Sequence, residues 1–252
     1  MSEAVFQYIH RGDSPPGITF YEWLQLSEQQ ERRKVMMRAM ISMNTVLGSL
    51  AALHGLYSWS QTRSVCDVGS GMGGFSRSLL EISPNVHVAQ FDLPKTIAIA
   101  KQHWKNDFAD RVTFVSGDFF EEIPAKNCDI YYLRNILHNW TDEKAVKILE
   151  SVRQAMGSHS RVLVHDHVLR HMSPMTGSDA DGLDTAPKPL LPNYGAGQIR
   201  VYHQDLTMMM MYNTRERTTT EIINLGKRAR LCVFKIFDLA EMCLVEFGVA
   251  EE

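Results

Sequence analysis

The chain has 252 residues, of which 44% are hydrophobic and 22% are charged, and its formal net charge at pH 7 is -3. This length suits one large α/β domain with room for a helical appendage. The small negative charge gives no basis for a nucleic-acid surface, and the sequence contains neither a bilayer-spanning apolar run nor a signal-peptide pattern. We therefore expect a cytoplasmic protein without nucleic-acid or membrane partners.

The four cysteines, at positions 66, 128, 232 and 243, form no C-x-x-C pair. Three of them lie in apolar, strand-like segments. We therefore expect buried, reduced thiols in preference to disulfides or a zinc site.

Residues 1–60 are predicted to be a helical segment that packs on a larger domain formed by residues 61–252. Residues 20–26 form a short amphipathic piece, and apolar side chains recur at helical spacing between Glu28 and Leu56. The stripe includes Val35, Met36 and Met40, and such a stripe usually packs in a core because methionine fills irregular gaps.

From Ser64 onward, short apolar segments alternate with amphipathic ones. Strands are predicted over residues 65–68, 86–91, 112–115, 128–133 and 162–164, and helices over residues 75–82, 95–104 and 142–156. Strands that alternate with helices of this length form a parallel sheet with helices on both faces.

The last part of the chain begins with a loop, predicted over residues 171–197 because proline and glycine are frequent there and no periodicity is visible. Helices are predicted over residues 206–211 and 218–229, and strands over 231–237 and 242–247. Two strands this close in sequence pair as an antiparallel hairpin. The predicted fold is therefore α/β and Rossmann-like, with a seven-stranded, mostly parallel sheet that ends in this hairpin.

A glycine-rich turn, VCDVGSGMGG, follows the first strand. Glycine allows unusual backbone angles and lets the backbone approach a ligand closely. The spacing fits both G-x-G-x-G and the dinucleotide pattern G-x-G-x-x-G, formed by Gly69, Gly71 and Gly74. The turn alone therefore does not identify its ligand, and a nicotinamide oxidoreductase stays an alternative.

Acidic or amide side chains follow successive strands, where α/β sheets bind their ligands. A single loop aspartate usually forms a turn or caps a helix, but a series at one edge is harder to explain in that way. Asp92 is placed to accept hydrogen bonds from ribose hydroxyls, and Asp118 from an adenine amino group, with Phe119 against the ring. The series, which predicts a nucleoside site, is Asp67, Asp92, Asp118, Asn135 and Asp166.

Motifs along the chain resemble the class I S-adenosylmethionine-dependent methyltransferases, and among them the small-molecule O-methyltransferases of the acetylserotonin, caffeate and fungal type. The motifs are DVGSGMGG (67–74), FDLP (91–94), GDFFEEIP (117–124), YYLRNILHNWTDE (131–143), RVLVHDHVL (161–169), DLTMMMMYNTRERTTTE (205–221) and VFKI…CLVEF (233–247). The combination L-R-x-x-L-H-x-W-x-D-E is quite specific to this family.

The resemblance implies S-adenosylmethionine as the cofactor and a Rossmann-like methyltransferase fold. Gly69 and Gly71 would meet the methionine part of the cofactor, and Arg134 would lie near the adenosine. The cofactor-binding residues implied in this way are Asp67, Gly69, Gly71, Asp92, Leu93, Asp118, Phe119 and Arg134.

The same resemblance implies that His138 is the catalytic base and that Asp166 and Glu216 orient it. An imidazole suits the removal of a proton from a hydroxyl that is aligned with an activated methyl group. The implied acceptor site consists of Trp140, Asp205, Met208, Met209 and Tyr212. Aromatic and methionine side chains suit a flat, apolar ring with one hydroxyl, which indicates a small aromatic or polyketide-type acceptor from secondary metabolism.

The terminal hairpin and the GDFF segment argue against the oxidoreductase. Three further alternatives to methyl transfer are considered. The first is a pericyclase or dehydratase that uses the sulfonium as a fixed charge, with His138, Gln204 and Asp205 assisting. The second is a catalytically weak, cofactor-binding partner protein. The third is a metal site formed by His138, His165 and His167; no further ligand has convincing spacing, so we expect no metal.

Relatives of this kind usually begin with a further helical domain that forms an intertwined dimer, and this chain is expected to lack it. A homodimer and a complex with a partner protein both stay open. The relatives also usually have a glycine before the first closing strand, where this chain has Arg230.

Overall fold

The computed structural model describes residues 20–46, 55, 57–105, 107–170, 186–239 and 241–249. The centre of this part of the chain is one seven-stranded sheet. Its strands are β1 (Ser64–Val68), β2 (His87–Asp92), β3 (Val112–Ser116), β4 (Ile130–Arg134), β5 (Arg161–His167), β6 (Leu231–Leu239) and β7 (Met242–Val249). They lie in the order β3-β2-β1-β4-β5-β7-β6.

Helices cover both faces of the sheet. They are α1 (Phe20–Leu24), α2 (Gln30–Val46), α3 (Gly74–Ile82), α4 (Pro94–Trp104), α5 (Asp142–Ala155), α6 (Ala196–Tyr212) and α7 (Thr219–Arg228), with 3-10 turns at Ser27–Gln29 and Leu137–Asn139. Val65 of β1 belongs to a buried cluster with α3 and α4, whereas Cys66 belongs to one with α5 and α7. Successive strand residues face opposite sides, so each face has its own core.

The fold class predicted from the sequence is confirmed. Strands β1 to β5 are parallel, and β7 is antiparallel to both of its neighbours, β5 and β6. The closing hairpin therefore inserts its second strand next to β5. No helix in the described part of the chain is both long and apolar enough to cross a membrane.

Helix α6 differs from its predicted extent. It begins at Ala196 instead of Leu206, so the predicted loop over residues 171–197 ends before Ala196, and residues 171–185 lie outside the described ranges. The early part of α6 was not recognised because its buried and exposed apolar residues are mixed: Val201 is fully buried, whereas Ile199 is 54% exposed. The hydrophobic period is weak as a result.

The N-terminal helices contribute only partly to a core. In α1, Phe20, Trp23 and Leu24 form a small buried cluster that α6 also joins through Tyr212. In α2, Val35 is 63% exposed and Met40 is 43% exposed, so the prediction that the whole methionine stripe packs in a core is wrong for these residues. Residues 1–19, 47–54 and 56 lie outside the described ranges. That residues 1–60 form a helical segment packed on the domain of residues 61–252 stays a prediction.

Arg230, which follows the C-cap residue Ala229 of α7, has a left-handed backbone with φ of 58°. Glycine is preferred at this position of a helix end because a Cβ makes the conformation unfavourable. We predict that Arg230→Gly raises the melting temperature by about 2–4 °C, the equivalent of roughly 1 kcal/mol. Arg228→Gly is the matched control inside α7, and it should lower stability by about 1 kcal/mol. Thermal unfolding followed by circular dichroism measures both, and an unchanged or lower melting temperature for Arg230→Gly would contradict the strain.

Candidate active site

The glycine turn after β1 lies against the segment that follows β4. Gly69, Gly71 and Gly73 all have positive φ, of 72°, 57° and 74°. A Cβ on Gly69 would lie 2.4 Å from the Ile136 side chain. The positive φ therefore favours glycine at position 69, and an added Cβ would also have to displace the end of the Ile136 side chain.

Asp92 joins this turn to the end of β2. Its Oδ2 accepts a hydrogen bond of 2.8 Å from the Gly71 backbone N–H, and its Oδ1 accepts one of 2.7 Å from the Leu93 N–H. Burial raises the pKa of Asp92, and these hydrogen bonds oppose the rise. The Phe91 carbonyl also accepts hydrogen bonds from the turn, at Gly69 (2.8 Å) and Ser70 (3.1 Å). The turn is therefore held by the backbone and the side chain of the neighbouring strand.

Asp67 lies behind the turn. The side chain is buried on β1 and accepts a hydrogen bond of 2.6 Å from Ser76 Oγ of α3. Burial raises the pKa of Asp67 to about 7. This carboxyl therefore connects β1 to the helix that follows the turn, and direct contact between Asp67 and a cofactor stays a prediction.

Aromatic side chains gather where β3 and β4 end. Phe119 lies edge-on to Trp140 with ring centroids 5.9 Å apart, and Phe120 lies edge-on to the same ring at 4.8 Å. Asp118 is exposed and accepts a hydrogen bond of 2.8 Å from the Phe120 N–H, which closes the loop after β3. The structure thus brings Trp140, predicted for the acceptor, next to Phe119, predicted for the cofactor.

Two polar groups at the end of β4 have buried atoms without a hydrogen-bond partner among the described residues, namely Arg134 Nε and Asn135 Oδ1. Asn135 also has a left-handed backbone, with φ of 53°, which turns the chain from the strand into the 3-10 turn. Both groups lie at the carboxyl edge of the sheet, where a ligand could supply the missing partners.

The 3-10 turn carries His138 into a buried position. His138 Nδ1 lies 2.8 Å from Glu216 Oε1, and the Glu216 side chain is fully buried. Burial alone would lower the pKa of His138, but the adjacent Glu216 carboxylate outweighs it, and the pKa of His138 is raised above its ordinary value. Nε2 makes no hydrogen bond within the described residues, so one ring nitrogen is bound to the carboxylate and the other is left for another group.

Glu216 is itself held by the helix predicted to line the acceptor site. Its backbone N–H donates a hydrogen bond of 2.8 Å to Asp205 Oδ1 of α6. Burial raises the pKa of Asp205, and the hydrogen bond from Glu216 opposes the rise. Asp205 and Glu216 are therefore brought together.

Asp166 lies buried on β5 near this pair. Its Oδ1 has no hydrogen-bond partner among the described residues. Burial raises the pKa of Asp166, and the neighbouring His138 opposes the rise. Among the described hydrogen bonds, the carboxylate that accepts from the His138 ring belongs to Glu216 and not to Asp166. That Asp166 also orients the ring stays a prediction.

The remaining predicted acceptor residues are divided between the faces of α6. Met208 is buried, whereas Met209 is 42% exposed. Tyr212 contacts Phe20 of α1, with ring centroids 5.1 Å apart. The structure therefore groups Trp140 and Asp205 with the His138 pair, and it places Met209 and Tyr212 elsewhere on the helix.

Two further histidines of β5, His165 and His167, lie on either side of Asp166 in the chain. His165 Nδ1 lies 2.6 Å from the Tyr132 hydroxyl, and burial followed by the charge of Arg134 lowers the pKa of His165. Burial likewise lowers the pKa of His167. In the described part of the chain, no three His, Cys, Asp or Glu side chains converge as metal ligands.

Arg217 was not identified from the sequence. Its buried guanidinium donates to the Leu137 carbonyl (2.8 Å), the Trp140 carbonyl (2.6 Å) and Asp142 Oδ1 (2.9 Å). The available signal was its position directly after Glu216 in a motif already singled out. An arginine that follows a predicted site residue could have been tested for such a role.

Comparison with known proteins gives one family and a set of related sequences. Residues 8–185 match the family model of the O-methyltransferase domain. The chain is 40% identical over 202 residues to 3-O-methyltransferase 2 of Phanerochaete chrysosporium, which covers 77% of this chain and 44% of that protein. It is 36% identical over 194 residues to O-methyltransferase tpcA of Aspergillus fumigatus, covering 74% and 39%. The chain thus spans less than half the length of these curated relatives.

Solved structures give the same fold. TnmH superposes with a TM-score of 0.75 at 26% identity, covering 93% of this chain and 62% of that one. The O-methyltransferase NcsB1, solved with S-adenosyl-L-homocysteine and 1,4-dihydroxy-2-naphthoic acid, has a TM-score of 0.68 at 23% identity, covering 99% and 68%. A pericyclic reaction enzyme has a TM-score of 0.58 at 22% identity, covering 77% and 45%. The likeness to the last two shows a shared fold alone.

The His138–Glu216 pair predicts a defined titration. In Glu216→Gln the charge that favours the imidazolium is removed while the ring stays buried, so the pKa of His138 should fall below its ordinary value of about 6.5. Nuclear magnetic resonance of the histidine rings as a function of pH measures this change. Glu221→Gln is the matched control, because Glu221 caps α7 through Thr218 instead of meeting His138. A His138 pKa that is the same in Glu216→Gln as in the unmodified protein would contradict the pairing.

Proposed function

Since the chain belongs to the O-methyltransferase family whose domain model matches its residues 8–185, we propose that it transfers a methyl group from S-adenosylmethionine to the hydroxyl of a small aromatic acceptor. The family predicted from the sequence motifs is confirmed by this match. The observation that carries the proposal is the buried contact of 2.8 Å between His138 Nδ1 and Glu216 Oε1. His138 belongs to the segment that follows β4, at the same edge of the sheet as the glycine turn.

The residues present at this edge fit the cofactor. Gly71 leaves open space where a Cβ would stand, and Arg134 Nε and Asn135 Oδ1 are buried without partners in the described ranges. A carboxylate oxygen can accept more than one hydrogen bond, so Asp92 keeps acceptor capacity for ribose hydroxyls. Phe119 offers an aromatic ring to the adenine base. When bound, the cofactor would supply a methyl group already activated by its sulfonium.

The residues implied to hold the cofactor come from the ends of four neighbouring strands at this edge. The glycine turn and Asp67 belong to the end of β1, Asp92 and Leu93 to the end of β2, and Asp118 and Phe119 to the end of β3. Arg134 completes the set from β4. Support for a shared ligand comes from this convergence, because open α/β sheets bind ligands at their carboxyl edge.

His138 would act as the general base. The Nδ1 proton donates to Glu216, which leaves the lone pair of Nε2 free to accept the acceptor hydroxyl proton. Glu216 then stabilises the imidazolium that forms, since the pair is excluded from water. Asp205 would hold Glu216 in place through its backbone. The proton thus moves from the acceptor oxygen to Nε2, while the chain needs only to align the two reactants.

The acceptor is inferred from two side chains that the sequence predicts for its site. Trp140 supplies an aromatic surface and Met208 an apolar one, which suits a flat ring such as a phenol or hydroxypyridone. The aromatic dihydroxy acid bound to NcsB1 belongs to the same chemical class. Fungal relatives bear O-methyltransferase names, which supports a role in secondary metabolism.

A second candidate is a cofactor-binding pericyclase or dehydratase, which the sequence leaves open and whose fold is shared by a pericyclic reaction enzyme. In that case a fixed positive charge, and not the transfer of a methyl group, would be the contribution of the cofactor. The buried His138–Glu216 pair favours methyl transfer, because it supplies a general base in which Nε2 is the atom that accepts the proton.

The test incubates the protein with S-adenosylmethionine and a panel of phenols, hydroxypyridones and hydroxynaphthoic acids, and reads products by mass spectrometry. We expect a product heavier by one methylene group and an equal amount of S-adenosylhomocysteine. In Asp92→Ala the KM for the cofactor should rise roughly tenfold to a hundredfold, since hydrogen bonds to a charged group are lost.

The matched control is Asp110→Ala, which removes an exposed carboxylate outside the site and should leave the KM unchanged. An isomer of unchanged mass would support the pericyclase instead. Cofactor binding without any product would indicate a binding protein, and binding of NADH in place of S-adenosylmethionine would overturn the cofactor assignment.

A further inference from the structure

A buried guanidinium contacts the 3-10 turn Leu137–Asn139 that carries His138, here called the His138 turn. The side chain of Arg217 is 3% exposed. Arginine is seldom buried unless its donors are all used, because an unpaired buried charge is costly. The proton transfer proposed for His138 does not use this side chain, so its burial needs another reason.

The acceptors of Arg217 lie on both sides of His138 in the chain. Nη1 donates to the Leu137 carbonyl at 2.8 Å, directly before His138, and Nη2 donates to the Trp140 carbonyl at 2.6 Å, shortly after it. Nε donates to Asp142 Oδ1 at 2.9 Å, in the first turn of α5. The guanidinium thus spans the whole 3-10 turn and the start of the next helix.

The segment that carries Arg217 is held to the sheet. Arg217 pairs with Val168 in a parallel bridge beyond the end of β5, and the Leu169 N–H donates a hydrogen bond of 3.0 Å to the Arg217 carbonyl. A capping box between Thr218 and Glu221 begins α7 immediately afterwards. The backbone at position 217 is therefore supported on both sides.

We infer that Arg217 is a positioning residue that holds the His138 turn at a fixed distance from Glu216. Adjacent residues of one extended segment then bind the base in two ways: Glu216 binds the ring, and Arg217 binds the backbone that carries the ring. This inference rests on the proposed function, because the position of His138 matters most if His138 moves a proton.

Lysine cannot replace arginine here. A guanidinium is planar and has five donors in a fixed arrangement, whereas an ammonium is a compact charge that cannot span three separated acceptors. Arg217→Lys therefore keeps the charge and removes most of the geometry. Arg217→Met removes both.

The charges that face His138 come from two segments. Glu216 and Arg217 face it from the segment before α7, and Asp166 and His167 face it from β5. Arg217→Lys keeps the positive charge at position 217 but should loosen the contact between His138 and Glu216. Burial, which lowers the pKa of His138, then outweighs the weakened effect of the Glu216 carboxylate. The pKa of His138 should then fall.

The experiment compares Arg217→Lys, Arg217→Met and the control Arg215→Met in the full chain. Arg215 lies two positions away and also pairs with Asp142, at 3.7 Å, but its side chain is 47% exposed and makes no described contact with the turn carbonyls. The readouts are kcat and KM for both substrates, the pKa of His138, and the slowly exchanging Nδ1 proton of His138 in a nuclear magnetic resonance spectrum.

We expect Arg217→Lys to lower kcat by about tenfold to a hundredfold, as misplacement of a reacting group by ~1 Å does, with both KM values within about twofold. The Nδ1 proton signal should broaden or disappear and the His138 pKa should fall. Arg217→Met should lose more of kcat and the same signal. Arg215→Met should change each readout by about twofold or less.

A lowered melting temperature with an unchanged Nδ1 signal, His138 pKa and kcat per folded molecule would overturn the inference, because Arg217 would then be structural only. If Arg217→Met does not fold, Arg217→Lys decides the matter by the same readouts. If the unmodified protein methylates nothing, the proposed function fails, yet the Nδ1 signal and the pKa still report whether Arg217 positions the ring.

Discussion

The site depends on one buried hydrogen bond, between the Glu216 carboxylate and Nδ1 of the His138 ring. A carboxylate without exposure to water is costly unless it is paired, and His138 is the paired group in the described structure. The same contact selects the tautomer of the ring and raises the pKa of His138 against the effect of burial. Asp205 holds the backbone of Glu216, and Arg217 holds the backbone on both sides of His138, so that the two side chains stay within hydrogen-bond distance of each other.

The segment between β4 and α5 connects the two halves of the site. At its start, Ile136 packs against Gly69, where the positive φ favours glycine and an added Cβ would have to displace the end of the Ile136 side chain. At its end, Trp140 contacts Phe119 by its ring and Arg217 by its carbonyl. His138 lies between these contacts. A change in the glycine turn and a change in the guanidinium contacts should therefore both reach the base, through one short stretch of backbone.

Much of the fold could be predicted from the sequence because strand and helix periods are distinct and the strand ends carry a repeated chemical signal. The sheet and its reversed last strand followed from alternating patterns and from the short connection before β7. The pairing of His138 with Glu216 could be named only through the resemblance, since the two residues are far apart in the chain. Arg217 could not be found in that way, because its role consists of contacts with backbone carbonyls, which no side-chain pattern encodes.

The division of the methionines shows a second limit. Met208 and Met209 are adjacent residues of the same type, yet Met208 is buried and Met209 is exposed. Which face of α6 is buried depends on the packing of that helix against the His138 turn and α1. The weak period of α6 gave no basis for that choice. The acceptor role of Met209 and Tyr212 stays a prediction.

The most direct measurement is a pH–rate series on the unmodified protein and His138→Ala, with His159→Ala as an exposed histidine control and with product mass and cofactor affinity determined in parallel. A general base predicts a loss of rate on the order of a hundredfold to ten-thousandfold in His138→Ala, with cofactor affinity unchanged. The loss should shrink as pH rises, because a phenol that ionises in solution needs the base less. A rate close to that of the unmodified protein, or a joint loss of stability and cofactor binding without rescue at high pH, would contradict the account.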